Sequence, residues 1–174
     1  MKTTKKITVS GMVVALGAIF LIVGSYISAV DLLFEVVASL LMVFVYIELG
    51  SPYTWLVWPA TALTVVFLPN GITVAGLYLL FFGIYPILKA YIERTPRVLW
   101  WPIKIVYINV IILILALMVR LITGAPMFTS RLIIVNAAVW ILINVAFVAY
   151  DMFITVAVRL YMLKYRKIFA KFLK

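Results

Sequence analysis

The sequence predicts an all-α membrane protein: a bundle of six transmembrane helices with both termini in the cytoplasm (N-in/C-in) and a basic amphipathic helix at the C-terminus. Three observations support this fold class. Hydrophobic residues make up 68% of the 174 residues and charged residues only 11%, which is too little polar surface for a soluble domain. The apolar residues form six stretches that approach the about 20 residues needed by a spanning helix. The basic residues cluster near both termini and in one mid-chain loop.

The six apolar stretches belong to one integral membrane domain, residues 1–174. The predicted spans cover residues 7–30, 32–47, 53–68, 71–88, 98–121 and 132–152, and residues 153–174 form a basic cytoplasmic tail. Gly50-Ser51-Pro52 and Pro69-Asn70-Gly71 are turn-forming sequences that separate the second, third and fourth spans. Lys5 and Lys6 before an apolar run also fit a signal peptide, but no small-residue cleavage site precedes Asp31. We therefore expect the first span to be retained.

The distribution of cations predicts the orientation. With the N-terminus inside, the cytoplasmic segments contain Lys2, Lys5, Lys6, Lys89, Arg94, Arg97, Lys164, Arg166, Lys167, Lys171 and Lys174. The outer loops keep only Arg120 and Arg131. The opposite orientation places nearly every cation outside, against the positive-inside bias of membrane proteins.

The basic tail has two interpretations. On a helix, one face carries Tyr161, Tyr165, Ile168, Phe169 and Phe172, and another carries Lys164, Lys167, Lys171 and Lys174. Such a helix can lie on the inner membrane surface, attracted to anionic headgroups. It can equally be a cytoplasmic extension of the sixth span, with charges that only fix the topology.

The composition excludes several classes of chemistry. Cysteine and histidine are absent, which removes thiolate and imidazole metal ligands and the commonest general base. There is no phosphate-binding loop and no paired metal-ligand spacing, so we expect no catalytic residues, no metal and no cofactor. The net charge of +10 follows membrane topology in its placement, so we expect no nucleic-acid partner.

The informative residues are the polar ones inside predicted spans, because each needs a partner or a cavity there. The candidate substrate-binding residues are Glu35, Asn109, Arg120, Asn136, Trp140 and Asn144. The last three share one helical face, and the set can converge on a small-molecule cavity in the outer half of the bundle.

Each of these residues also has a structural interpretation. The asparagines can form interhelical hydrogen bonds worth roughly 1 kcal/mol without any ligand. Glu35 can extend to the interface or pair with Arg120. Among the other polar residues, we expect Asp151 to pair with Lys104 or Lys89, and Glu48 to end the second span in water. Tyr53, Trp55, Trp100 and Trp101 fit an interfacial aromatic belt.

Small residues line one face of the first span. Gly11, Ala15 and Ala18 lie at spacings that allow another helix to approach closely. This face can dock a partner subunit, or it can pack inside the same chain.

The whole chain resembles the substrate-binding S components of energy-coupling factor (ECF) transporters. These are small, basic, six-span proteins that begin with a Lys-rich leader and a span carrying Ala-x-x-x-Ala; the corresponding stretch here runs from Lys5 to Ala15, with Gly11 in place of the first alanine. The resemblance implies a small-molecule ligand bound from the outer side, and a transmembrane coupling subunit with ATPase subunits as partners. It also implies a multi-pass location in the plasma membrane of a bacterium.

Three function hypotheses follow. The first is the substrate-binding subunit of an ECF-type importer for a vitamin-like small molecule, which lacks a nucleotide-binding motif and so needs partners to power transport. The second is a small membrane scaffold, similar in size and span count to rod-shape-determining (MreD-like) proteins. The third, an intramembrane enzyme acting on lipid, is least favoured because histidine and cysteine are missing and the acidic residues are dispersed.

Overall fold

The computed structural model describes residues 3–27, 29–68, 70–124 and 133–166. The α-helices are α1 (Thr3–Tyr26), α2 (Asp31–Glu48), α3 (Ser51–Leu63), α4 (Gly71–Leu77), α5 (Tyr85–Ile92), α6 (Arg97–Thr123) and α7 (Ile133–Leu160), and π-helical turns cover Tyr78–Phe82 and Tyr161–Tyr165. These described residues contain no β-strand. The prediction of an all-α protein is therefore confirmed.

Within the described residues, four helical segments are long and apolar enough to cross a membrane: Thr3–Tyr26, Gly71–Ile92, Arg97–Thr123 and Ile134–Tyr165. They correspond to predicted spans one, four, five and six. α2 and α3 have 18 and 13 residues, which gives lengths of about 27 Å and 20 Å at 1.5 Å per residue. Both are shorter than the roughly 30 Å hydrocarbon core of a bilayer, so the count of six spans stays a prediction.

The chain divides into two compact units, one formed by Met1–Ala90 with Val156–Lys174 and the other by Tyr91–Thr155. In the first unit α1 packs against both α2 and α3. Its core contains the fully buried side chains of Leu21, Met42 and Val57. Gly17 lies so close to α3 that an added Cβ would be 2.8 Å from Thr61 Cγ2. The missing side chain is therefore what lets these two helices approach.

The π-helical turn Tyr78–Phe82 is held against α3. The Trp58 Nε1 donates a hydrogen bond of 3.2 Å to the Leu79 carbonyl, and Gly83 ends the turn with its N–H donating to the Tyr78 carbonyl at 2.7 Å. A Cβ on Gly83 would meet the rings of Trp58 and Tyr78 at 2.7 Å each. Glycine at this position thus makes room for two aromatic rings.

Both predicted turns of the first unit are present in the described residues. Gly50 has a φ of 92° directly before α3, a conformation that favours glycine. Asn70 adopts the left-handed region with a φ of 56° before α4, which asparagine tolerates better than most residues. A Cβ on Gly71 would collide with the Val65 carbonyl oxygen. Pro69 of the second predicted turn lies outside the described residues.

The second unit contains α6 and most of α7. Pro96 precedes α6, where its fixed φ suits a helix start. Gly124, with a φ of 71°, ends the helix and donates to the Arg120 carbonyl at 2.9 Å. Lys104 of α6 meets Asp151 of α7, and Asn109 meets Asn144. Because the numbers rise on one helix as they fall on the other, the two helices run antiparallel.

α7 continues without a break into the predicted tail. Ile134–Tyr165 is one helical segment of 32 residues, which is about 48 Å long at 1.5 Å per residue. This exceeds the roughly 30 Å of hydrocarbon, and residues 153–165 of the predicted tail belong to the same helical segment as the predicted sixth span. The rest of the predicted amphipathic faces, residues 167–174, lies outside the described residues.

Candidate functional site

An open groove of about 320 Å³ lies between α6 and α7 in the second unit. Its walls are formed by Ile105, Asn109, Trp140, Ile141, Asn144, Val145, Phe147 and Val148. Three of the six predicted substrate-binding residues, Asn109, Trp140 and Asn144, therefore share one site. The remaining walls are apolar, and the volume falls at the lower end of the range for small-molecule sites.

The two asparagines are polar groups in an otherwise apolar groove. Asn109 Nδ2 donates to the Ile105 carbonyl at 2.8 Å and lies 3.4 Å from Asn144 Oδ1. Asn144 Nδ2 donates to the Trp140 carbonyl at 3.0 Å. The interhelical hydrogen bond weighed in the sequence analysis is thus present. The other oxygen of the pair, Asn109 Oδ1, is buried and accepts no hydrogen bond from the described residues.

The other predicted site residues lie elsewhere. Asn136 is two helical turns before Asn144 on α7, half-buried and outside the groove lining. Arg120 is exposed near the end of α6, also outside the lining. Glu35 belongs to the first unit. The structure therefore brings the Asn109, Trp140 and Asn144 side chains together and separates Asn136 and Arg120 from them along the helices.

Lys104 is the centre of a buried charge cluster in the second unit. It is 3% exposed, and its Nζ lies 2.9 Å and 3.0 Å from the two carboxylate oxygens of Asp151 and 3.2 Å from Glu93 Oε1. The rings of Trp100 and Trp101 lie 5.9 Å and 5.6 Å from the same ammonium. The predicted pairing of Asp151 is confirmed for Lys104. These two tryptophans, assigned from sequence to an interfacial belt, also stabilise a cation.

Glu93 was missed by the sequence analysis. It lies just beyond α5, on the other side of a turn from Lys104, so helical spacing gives no signal for the contact. The pair becomes apparent only once the turn before α6 folds the chain back.

Glu35 is buried in α2, which contradicts the interpretation that it extends to the interface. It is 1% exposed, so it does not extend to the interface. Its two carboxylate oxygens have no hydrogen-bond partner among the described residues. Glu35 is buried because it lies on the face of α2 that packs into the core of the first unit.

The expectation that Glu48 ends the second span in water is wrong. Its side chain is only 10% exposed. Tyr161 donates a hydrogen bond of 3.0 Å to Glu48 Oε1, and Arg166 Nε lies 3.9 Å from the same oxygen. Phe44 meets the Tyr161 ring edge-on at 6.0 Å between centroids. The helical extension of α7 thus covers this carboxylate, through a contact between residues 113 positions apart.

The small-residue face of α1 divides into two parts. Gly11 and Ala15 are exposed, and a Cβ added to Gly11 would meet nothing within 4 Å. Ala18 is buried, as is neighbouring Gly17 against Thr61. The part with Gly17 and Ala18 therefore packs inside the chain, and the part with Gly11 and Ala15 presents an open surface to lipid or another helix.

The part of the chain that the structure describes holds no group of three or more metal-ligating side chains. No protein-family model, no curated protein and no solved structure matches this sequence.

Proposed function

We propose that this protein is the membrane-embedded substrate-binding subunit of an ECF-type importer for a vitamin-like small molecule. The observation that carries the proposal is the groove between α6 and α7, where two amides and an exposed indole ring meet on apolar walls. In this proposal the protein lies in the plasma membrane of a bacterium, which the chain crosses six times with both termini in the cytoplasm. The cation distribution supports this orientation, and the four long apolar helices support residence in a membrane.

The chemistry of the groove suits a flat ligand with a hydrogen-bond donor. Asn109 Oδ1 has no hydrogen-bond partner among the described residues, so the desolvation of this acceptor is uncompensated until a donor reaches it. Trp140 is 47% exposed and offers an aromatic face on which a ring can stack. Aliphatic side chains such as Ile105 and Val145 complete an apolar wall. A heterocycle with a ring N–H fits these three features.

Transport needs partners, since the chain has no nucleotide-binding motif. The exposed Gly11 and Ala15 on α1 provide a surface that a helix of a coupling subunit can approach closely, because neither residue holds two backbones apart. ATPase subunits then supply the energy through that coupling subunit.

The test is ligand retention by the purified protein. Small molecules that co-purify are identified by mass spectrometry, and their affinity is measured for the wild type and for Asn144→Leu. We expect Asn144→Leu to weaken binding at least tenfold, because the amide that orients Asn109 is lost. Thr155→Val is the matched control: it removes a hydroxyl from the same helix, outside the groove, and leaves affinity unchanged.

A membrane scaffold is the second candidate, and it is favoured by the openness and the largely apolar lining of the groove. Such a surface also accepts a helix of another protein. Recovery of a stoichiometric membrane-protein partner without any bound small molecule supports the scaffold over the receptor.

A further inference from the structure

The core of the first unit contains a carboxyl group for which the described residues provide no counter-charge. Glu35 is buried, and both of its oxygens lack a hydrogen-bond partner among the described residues. The hydroxyl of Tyr78 is also buried, within electrostatic range of Glu35. Tyr78 begins the π-helical turn and lies against Thr61 of α3. Two buried polar groups therefore lie near each other in the interior of the first unit.

Among the described residues, the charged groups around this region give the carboxyl no cation. The titratable residues of the described elements packed with α2 are Lys5, Lys6 and Tyr26 on α1, Tyr53 on α3, Tyr78 in the π-helical turn, and Tyr161, Lys164, Tyr165 and Arg166 in the extension of α7. Lys6 lies over the Tyr53 ring, and Arg166 lies beside Glu48 at the opposite end of α2. The charge that acts on Glu35 from its own helix is Asp31, which is negative.

An ionised carboxylate in such surroundings is far costlier than the neutral acid, because burial removes its hydration and no donor replaces it. The nearby negative charge of Asp31 adds to the cost. We infer that Glu35 is a proton-binding site in the core of the first unit, which holds its proton in the folded protein and releases it when that core opens. A proton needs no coordination shell, whereas Ca²⁺ takes about six to eight oxygen ligands.

Proton release from Glu35 would place a charge among α1, α2 and the π-helical turn. Opening of this packing is therefore coupled to deprotonation, and the site makes the conformation of the first unit sensitive to protons. The π-helical turn is suited to such a role, since these turns often occur at functional sites. This inference concerns the first unit alone and does not depend on a ligand in the groove.

Infrared spectroscopy of the protein in lipid nanodiscs tests the inference directly. At neutral pH we expect the C=O stretching band of a protonated carboxyl in the wild type. The band is lost in Glu35→Gln and kept in the matched control Glu48→Gln, on the same helix. In Tyr78→Phe the band remains but shifts, because its polar neighbour is removed. Labelling of glutamate with ¹³C shifts the same band in the wild type, which provides a readout without any variant.

A second measurement uses linkage between protons and unfolding. An unfolded glutamate ionises near its ordinary value of about 4.3, so a Glu35 that stays protonated in the fold releases one proton on unfolding. The free energy of unfolding of the wild type should therefore fall as pH rises above that value. Its slope against pH should be steeper than the slope for Glu35→Gln by the amount that corresponds to one proton released on unfolding. Absence of the carboxyl band in the wild type, equal slopes for the two proteins, or stabilisation by sodium with no band would each overturn the inference.

Discussion

The buried pair of Lys104 and Asp151 allows a quantitative prediction for the second unit. Removing one partner of a buried ion pair costs about 3–5 kcal/mol, because the other charge stays desolvated. Asp151→Asn leaves Lys104 with Glu93, which is 3.2 Å away and one-third exposed, so we expect a loss of about 3 kcal/mol, at the lower end of that range. Lys104→Met removes the cation from a carboxylate that is 5% exposed, and we expect about 4–5 kcal/mol.

The double variant Lys104→Met/Asp151→Leu removes both charges and should restore stability to within about 1 kcal/mol of the wild type, since no buried ion is left alone. The free energy of unfolding is measured in mixed micelles by tryptophan fluorescence, to which Trp100 and Trp101 beside the pair contribute. Arg97→Met is the control, an exposed cation of the same helix that should change stability by less than about 0.5 kcal/mol. Single variants that each cost under about 1 kcal/mol, with additive effects in the double variant, would refute the argument.

Two further predictions concern helix packing and topology. Gly17→Ala should destabilise the first unit, because its Cβ would lie 2.8 Å from Thr61 Cγ2. Gly11→Ala, with open space at its Cβ, should instead raise stability by about 0.5–1 kcal/mol through its better helix propensity; equal thermal shifts for the two variants would contradict this packing. For topology, single cysteines are introduced into a chain that has none. We expect Phe67→Cys to react with an impermeant reagent outside intact cells, and Pro52→Cys and Arg94→Cys to react only after lysis. A Pro52→Cys that is inaccessible from both sides indicates that α2 and α3 form a hairpin within the membrane, which gives four spans.

Several features of the fold were predictable because they depend on local properties of the chain. The scarcity of charge and the lengths of the apolar runs predicted helices in lipid, and the described residues contain four helices that are long and apolar enough to cross a membrane. Gly50 and Asn70 mark turns because their backbones adopt positive φ more easily than those of other residues. The pairing of Lys104 with Asp151 was also predictable, since each is an isolated charge at a similar depth of neighbouring spans.

The candidate site was predictable only in part. The spacing of four residues placed Trp140 and Asn144 on one face of α7, as the groove requires. The same periodicity placed Asn136 on that face. A face runs the full length of a helix, whereas the groove covers only a short part of that length, and Asn136 lies outside it. The sequence does not indicate how α6 is shifted along α7, and therefore which residues of α7 lie opposite Asn109.

The sequence by itself determined the helical class, the apolar solvent that this composition requires, the turns, and the few polar residues that need partners. Tertiary structure alone decided which partners they received. Glu48 is covered by Tyr161 from 113 residues away, Glu35 is buried without a hydrogen-bond partner among the described residues, and Gly17 rather than Gly11 carries the close helix contact. The physical reason is that helix formation and hydrophobicity act over one or two turns of chain. The partner of a side chain depends instead on how each helix is rotated and shifted against its neighbours, which the packing of the whole unit sets.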